Sequence, residues 1–133
     1  MKHTIKFSFP KAGVYEANFT GVQIGTNKWT QSLQYVFGFR LTDYVINGEF
    51  QPIEPMIYER IISNTRDNET LFNFLRDLNW PLDQDSGEFT FETNDVREFV
   101  IPVEVPRRFV ITFVKGFGNR AAAYKSIQPY EGD

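Results

Sequence analysis

The chain has 133 residues, of which 14 are phenylalanine, one is histidine and none is cysteine. A chain of this length buries roughly two-thirds of its unfolded surface when it folds as one domain. The lack of cysteine excludes disulfides and thiolate-bound metals. Neither an apolar run of about 18 residues nor an apolar stretch at the start is present, as a membrane span or a signal peptide would require. We therefore expect a single soluble domain over residues 1–133 that resides in the cytoplasm and does not bind membranes.

The net charge of −3 comes from one part of the chain. Residues 61–106 carry three basic and ten acidic side chains. Residues 1–60 carry six basic and five acidic side chains, and residues 107–133 carry five basic and two acidic ones. Because the excess acid lies in a central segment, the rest of the chain keeps a neutral to basic surface, and the total charge does not exclude a nucleic-acid partner.

Three strands are predicted in the first half of the chain from alternating apolar and polar side chains. The first, residues 13–24, contains a phase break at Gly21 that indicates a β-bulge. The polar residues 25–31 predict a loop. The second strand, residues 33–41, has large apolar side chains on one face, which predicts that its other face stays accessible. The third strand, residues 56–62, has apolar and charged side chains on both faces, so its pattern does not decide which face points to the core.

One amphipathic helix is predicted after the third strand. Its apolar stripe comprises Leu71, Phe72, Leu75 and Leu78. Asp67 or Asn68 is a suitable N-cap, and Glu69 in the first turn suits the helix dipole. Pro81 is expected to end the helix.

An acidic insertion follows the helix. Residues 82–106 contain two short apolar runs, at 89–91 and 99–101, which are candidates for short strands. Pro102 and Pro106 favour an edge strand or a connecting arm instead.

A closing hairpin completes the predicted elements. Residues 109–114 alternate between large apolar and β-branched side chains, which suits a strand buried on both faces. A turn over residues 115–120 leads to a return strand over residues 121–127. Five strands with one helix between the third and fourth match the element order of the OB-fold, a partly open Greek-key barrel. A plain β-sandwich is the alternative.

Three stretches of the chain follow a pattern known from one protein family. They are Gly13-Val14-Tyr15-Glu16-Ala17 before the first loop, Leu71-Phe72-Asn73-Phe74-Leu75 in the helix and Tyr124-Lys125-Ser126-Ile127 at the end. With the alternating second strand, they resemble the small OB-fold single-stranded-DNA-binding proteins of bacteriophages and prophages. Residues 82–106 depart from that pattern as an acidic insertion before the fourth strand. The resemblance implies sequence-tolerant binding of single-stranded DNA in phage-type replication or recombination, in the host cytoplasm. It also implies a homo-oligomer or replication and recombination proteins as further partners.

An OB-fold binds its ligand across the second and third strands, between the loop joining strands 1 and 2 and the loop joining strands 4 and 5. Both predicted loops combine aromatic and basic residues: Lys28 with Trp29, and Phe117 with Lys115 and Arg120. Single-stranded nucleic acid binds by stacking bases on aromatic side chains and by contacts of its backbone with cations. The predicted nucleic-acid-binding residues are Lys28, Trp29, Gln34, Arg40, Tyr58, Arg60, Lys115, Phe117 and Arg120.

Structural roles for some of these residues stay open. Trp29 can fold back over the barrel end as a lid, and Tyr58 is equally suited to the core. Phe117 lies between two glycines, which favours exposure.

No catalytic constellation is expected. His3, the single histidine, cannot anchor a catalytic triad or a metal site. Asp83, Asp85 and Glu88 lack the spacing of an EF-hand and favour a solvated acidic loop. Residues 116–121 match a loose dinucleotide-binding pattern, but the required helix and second strand do not follow. We therefore expect a protein that is not an enzyme and has no cofactor or metal.

Two other functions remain as hypotheses from the sequence. The chain can be a virion or assembly component that uses a β-barrel as a protein-interaction module, with residues 82–106 as the contact surface. It can also be a sugar-binding module in which Trp29 and Phe117 stack on the ligand.

Overall fold

The computed structural model describes residues 10–26, 29, 31–63, 69–83, 86–89, 92–94, 99–118 and 122–130. The elements in these ranges are β1 (Gly13–Thr26), β2 (Leu33–Ile46), β3 (Glu49–Ser63), α1 (Glu69–Asp77), β4 (Leu82–Asp83), β5 (Glu88–Phe89), β6 (Arg108–Val114) and β7 (Ala123–Pro129). The prediction of a mostly-β chain is confirmed.

Five strands form one antiparallel sheet in the order β3-β2-β1-β6-β7. β4 and β5 pair with each other in a separate hairpin within the acidic residues 82–106. The helix α1 lies between β3 and β6 in the chain, which is the predicted position. β3 and β7 are the two edges of the sheet, so the backbone hydrogen bonds of the described strands do not close it into a barrel.

Alternate residues of β1, β2 and β6 supply the core on one face of the sheet. The buried apolar side chains of these strands are Tyr15, Ala17, Phe19, Val22, Phe37, Phe39, Leu41, Phe109, Ile111 and Phe113. Phe39 lies at the centre of this layer. Its ring centroid is 5.2 Å from that of Phe19, 6.2 Å from that of Phe109 and 6.3 Å from that of Phe74 on α1. Interlocking rings therefore join the sheet to the helix.

Side chains bridge the gap between the two edge strands. The guanidinium carbon of Arg60 on β3 lies 3.8 Å from the ring centroid of Tyr124 on β7 and 4.5 Å from that of Phe74. The rings of Phe50 on β3 and Tyr130 after β7 meet edge to face with centroids 5.3 Å apart. Cation–π contacts strengthen when they are removed from water. The half-buried Arg60 therefore holds β3, α1 and β7 around the core.

The strands are longer than predicted. β1 continues to Thr26 and β2 to Ile46, while β3 begins at Glu49 rather than at residue 56. β3 includes Pro52 and Pro55, which the prediction placed before the strand. An edge strand tolerates proline because its backbone N–H groups need partners on one side only.

The helix ends earlier than predicted. It begins at Glu69 and ends at Asp77, and the proposed caps Asp67 and Asn68 lie outside the described residues. Asn79 adopts a left-handed conformation with φ of 64°, and the Trp80 N–H donates a hydrogen bond to the Leu75 carbonyl at 2.9 Å. Such a left-handed residue terminates a helix without proline. In the part of the chain described here, no helix is long and apolar enough to span a membrane.

The acidic insertion includes a connecting arm, which comprises residues 99–106, beside β1. Of the predicted short strands, Glu88–Phe89 pairs as β5, Phe99 forms an isolated bridge with Thr93, and residues 90–91 lie outside the described ranges. The Phe99 N–H donates a hydrogen bond to the Val22 carbonyl at 2.9 Å. The arm therefore runs next to the end of β1 that β6 does not reach.

The closing hairpin is confirmed as β6 and β7. The prediction that both faces of β6 are buried is wrong: one face is buried, whereas on the other Val110 and Thr112 are half-buried and Val114 is exposed. The return strand begins at Ala123 rather than at Ala121, which lies outside the described residues.

Stability is expected to fall at alkaline pH because of Tyr124. Burial raises the pKa of this hydroxyl to about 12, although the neighbouring Arg60 charge opposes the shift. In the unfolded chain a tyrosine has a pKa of about 10. The unfolded state therefore releases its proton first, so this stabilising contribution is complete below about pH 10 and is lost as pH rises towards 12. Denaturant titrations at about pH 9 and about pH 11 measure the loss.

The matched control is Tyr124→Phe, which keeps the ring beside Arg60 and removes the titrating group. Burial also raises the pKa of Tyr15 and Tyr58, so the variant should retain a shallower alkaline loss of stability. Equal losses in the variant and the wild type would contradict this role of Tyr124.

Candidate nucleic-acid interface

The outer face of the sheet is the side opposite the core over β1, β2 and β3. It carries Gly21 and Gln23 of β1, Gln34, Val36, Gly38 and Arg40 of β2, and Ile57, Glu59 and Ile61 of β3. These residues alternate with the buried side chains, because successive side chains of a strand point to opposite faces. Cross-strand pairing sets their neighbours: Arg40 lies opposite Ile57, Gly38 opposite Glu59, and Val36 opposite Ile61.

A groove of about 200 Å³ crosses the outer face. Its floor is the cross-strand pair Gly21 and Gly38, both half-buried, and the Thr20 hydroxyl lies over Gly38. Glu59 lines the β3 side of the groove, and Phe99 and Ile101 of the arm line the β1 side. Glycine inside a strand weakens it and often marks a place where a ligand approaches the backbone closely.

Ile57 and Ile61 are the apolar part of the outer face that sequence reasoning missed. Their side chains are 65% and 55% exposed although they lie within a strand. Exposed apolar groups that cluster next to a groove mark binding surfaces more often than scattered ones do. Their spacing in the sequence could have indicated this, because alternate residues of a strand share a face and Ile57, Glu59 and Ile61 therefore lie opposite Tyr58 and Arg60.

Gln34 and Arg40 lie on the outer face, as predicted. Gln34 is half-buried, whereas Arg40 is exposed next to the groove in the row that contains Ile57. Arg40 therefore offers a solvated cation beside the groove.

Tyr58 and Arg60 lie on the opposite face, which corrects the prediction that they share a surface with Gln34 and Arg40. Tyr58 pairs with the buried Phe39 and stacks on it with ring centroids 6.3 Å apart, and burial raises the pKa of its hydroxyl. Arg60 lies between two aromatic rings of the core side. Both residues contribute to the core side of β3, because they pair with Phe39 and Phe37 of β2, whose side chains point into the core.

The two aromatic loops flank the sheet rather than adjoin each other. Trp29 is 93% exposed and Phe117 is 90% exposed, so neither forms a lid. Trp29 follows the C-terminal end of β1, where Thr26 pairs with Leu33. Phe117 follows β6, and the end of β6 pairs with Gly13 at the N-terminal end of β1. The two rings therefore lie at opposite ends of β1. Lys115 is exposed next to Phe117. The predicted contacts Lys28 and Arg120 lie outside the described residues.

Arg108 at the start of β6 serves an internal ion pair. Its Nε donates a hydrogen bond to Oε1 of the buried Glu16 at 2.7 Å, and its guanidinium carbon lies 4.2 Å from the ring centroid of Tyr130. The hydrogen bond with Glu16 raises the pKa of the guanidinium. This cation is therefore engaged by a buried carboxylate and an aromatic ring of the protein itself.

The acidic cluster predicted as a loop belongs to the β4–β5 hairpin. Asp83 pairs with Glu88, and Asp83 Oδ1 accepts a hydrogen bond from the Ser86 N–H at 3.3 Å. Asp85 lies outside the described residues. Over the described ranges, no three histidine, aspartate or glutamate side chains converge to hold a metal ion.

Comparison with known proteins gives no family assignment. No protein family, characterised protein or solved structure matches this chain.

Proposed function

We propose that the chain binds single-stranded DNA across the outer face of its sheet, without strong dependence on sequence. The observation that carries the proposal is the nearly complete exposure of Trp29 and Phe117 at the two ends of β1. Stacking on an exposed aromatic ring contributes about 1–3 kcal/mol per base and tolerates any base. The bases of a single DNA strand that crosses the outer face can stack on both rings.

The sheet order supports an OB-type barrel as part of the proposal. Five strands in the order β3-β2-β1-β6-β7, with α1 between β3 and β6, follow the OB-fold element order. The Arg60 contact with Tyr124 joins the two edges that would complete a barrel. The outer face of β2 and β3 is then the surface that OB-folds use for oligonucleotides.

The apolar and basic side chains at this surface suit the bases and the phosphates of single-stranded DNA, respectively. Val36, Ile57 and Ile61 offer apolar contacts for bases. Arg40 on this face and Lys115 in the loop after β6 offer exposed cations for phosphates. Paired bases in a duplex cannot reach such a surface, so single strands are preferred.

Binding is expected to quench the fluorescence of Trp29. Trp80 is 3% exposed and serves as an internal reference whose emission stays constant. The experiment is a titration with oligo-dT, with Trp29→Phe as the control that leaves only the buried indole. Unchanged emission from the wild type, together with no shift in an electrophoretic assay, would rule out the proposal.

Arg40→Ala is expected to weaken binding and to reduce its dependence on salt. Loss of one phosphate contact to a single strand lowers the slope of log affinity against log salt by about 0.7. Affinities for oligo-dT between about 50 mM and about 200 mM salt give this slope. Arg76→Ala, which removes an exposed arginine on α1, is the matched control and should keep the wild-type slope. Equal slopes for all three proteins would remove Arg40 from the interface.

A further inference from the structure

The groove on the outer face has the form of a slot, which we call the glycine slot: Gly21 and Gly38 form its floor and Glu59 closes its β3 side. We propose that this slot binds the Watson–Crick edge of one unpaired guanine, with the Glu59 carboxylate as acceptor. This inference rests on the proposed function and adds a base preference to a surface that otherwise tolerates any sequence.

The slot follows from cross-strand register. Gly21 pairs with Gly38, and Gly38 pairs with Glu59, so the three residues form one row across β1, β2 and β3. Neighbouring strands lie about 4.8 Å apart, so the row spans roughly 10 Å. Val36 and Ile57, which line the groove, belong to the rows on either side. A planar base can therefore lie lengthwise along this row between Val36 and Ile57, in contact with the Thr20 hydroxyl that also lines the groove.

The two glycines keep the slot open. A Cβ at Gly38 would lie 2.6 Å from Thr20 Oγ1, so a side chain there would displace the threonine. At Gly21, φ is 147°, a conformation that other residues rarely adopt, and the position of a Cβ has nothing within 4 Å. The floor is therefore open above Gly21, whereas the Thr20 hydroxyl lies above Gly38 and also lines the groove.

The Glu59 carboxylate is available to accept hydrogen bonds from a ligand. Glu59 is exposed and has no hydrogen bond or ion pair with any described residue. Its negative charge repels phosphates, so the edge of a base rather than the backbone should face it. Watson–Crick edges are accessible only when bases are unpaired, as in single strands.

Guanine matches this acceptor better than the other bases. Its N1–H and N2–H groups are adjacent and donate in parallel to the two oxygens of one carboxylate, a charge-assisted bidentate pair. Cytosine and adenine present one amino group beside an acceptor nitrogen. Thymine presents one N–H between two carbonyl oxygens, which the carboxylate repels.

The experiment measures fluorescence anisotropy with labelled oligo-dT that contains one central guanine, one central inosine or neither. The wild type should bind the guanine oligonucleotide roughly tenfold more tightly than oligo-dT, with inosine between them because it lacks the amino group. Glu59→Gln should bring this ratio close to one. Glu54→Gln removes an exposed carboxylate of the same strand outside the groove and should keep the wild-type ratio.

The ratio of affinities is the readout, because loss of any carboxylate can tighten binding to all oligonucleotides alike. Thermal unfolding of both variants verifies that they are folded. Equal binding of the three oligonucleotides by the wild type, or a preference that survives in Glu59→Gln, overturns the inference and leaves the proposed function standing. No binding of any oligonucleotide overturns both.

Discussion

Replacement of Phe39 by alanine is expected to lower the free energy of unfolding by about 3–5 kcal/mol. Phe39 is 1% exposed, stacks on Phe19 and Tyr58, and meets Phe74 and Phe109 edge to face. The truncation removes the ring that joins β1, β2, β3, β6 and α1, and these rigid neighbours cannot fill the cavity. Natural domains are stable by only about 5–15 kcal/mol, so this loss is a large fraction of the total free energy of unfolding.

Denaturant titration monitored by circular dichroism measures this loss. Phe117→Ala is the matched control, because it makes the same substitution at a side chain that is 90% exposed. Its free energy of unfolding should stay within about 0.5 kcal/mol of the wild type. A loss below about 1 kcal/mol for Phe39→Ala would contradict its place at the centre of the core.

The double variant Trp29→Ala, Phe117→Ala is expected to bind oligo-dT at least about thirtyfold more weakly than the wild type. Each exposed ring should stack on one base, and each stacked base contributes about 1–3 kcal/mol. The rings lie at opposite ends of β1, so their contributions should add. Anisotropy titrations of the two single variants and the double variant test both the size and the additivity.

Phe72→Ala is the control for this prediction. It removes a partly exposed ring from α1, where it contacts Phe89 rather than the outer face. Its affinity for oligo-dT should match the wild type. A folded double variant with wild-type affinity would show that the loop aromatics do not contact DNA.

The core faces of β1 and β2 could be predicted from the sequence, because a period of two is unambiguous when large apolar and polar residues alternate cleanly. The phase break at Gly21 likewise predicted the bulge, which the register shift between Phe19 and Gly21 confirms. Local sequence determines both features.

The orientation of β3 could not be predicted, because both of its faces mix apolar and charged side chains. Arg60 lies on the core side because Phe74 and Tyr124 meet its guanidinium there, and neither is near Arg60 in the sequence. Ile57 and Ile61 are left exposed as a result. The binding face therefore depends on tertiary contacts rather than on strand periodicity.

The glycine slot also depends on information that the sequence lacks. Gly21, Gly38 and Glu59 are far apart in the chain, and only the register of three strands brings them into one row. A shift by one residue would turn Glu59 towards the core. The register depends in turn on the bulge in β1 and on the turn between β2 and β3.

Mapping of backbone amide chemical shifts with oligo-dT tests the central claim that the outer face binds single-stranded DNA. The largest changes should occur at Gly21, Gly38 and Ile61, while the amides of α1 and β7 stay unchanged. Changes confined to α1 and β7, or no changes at oligonucleotide concentrations that saturate typical single-strand binders, would contradict it.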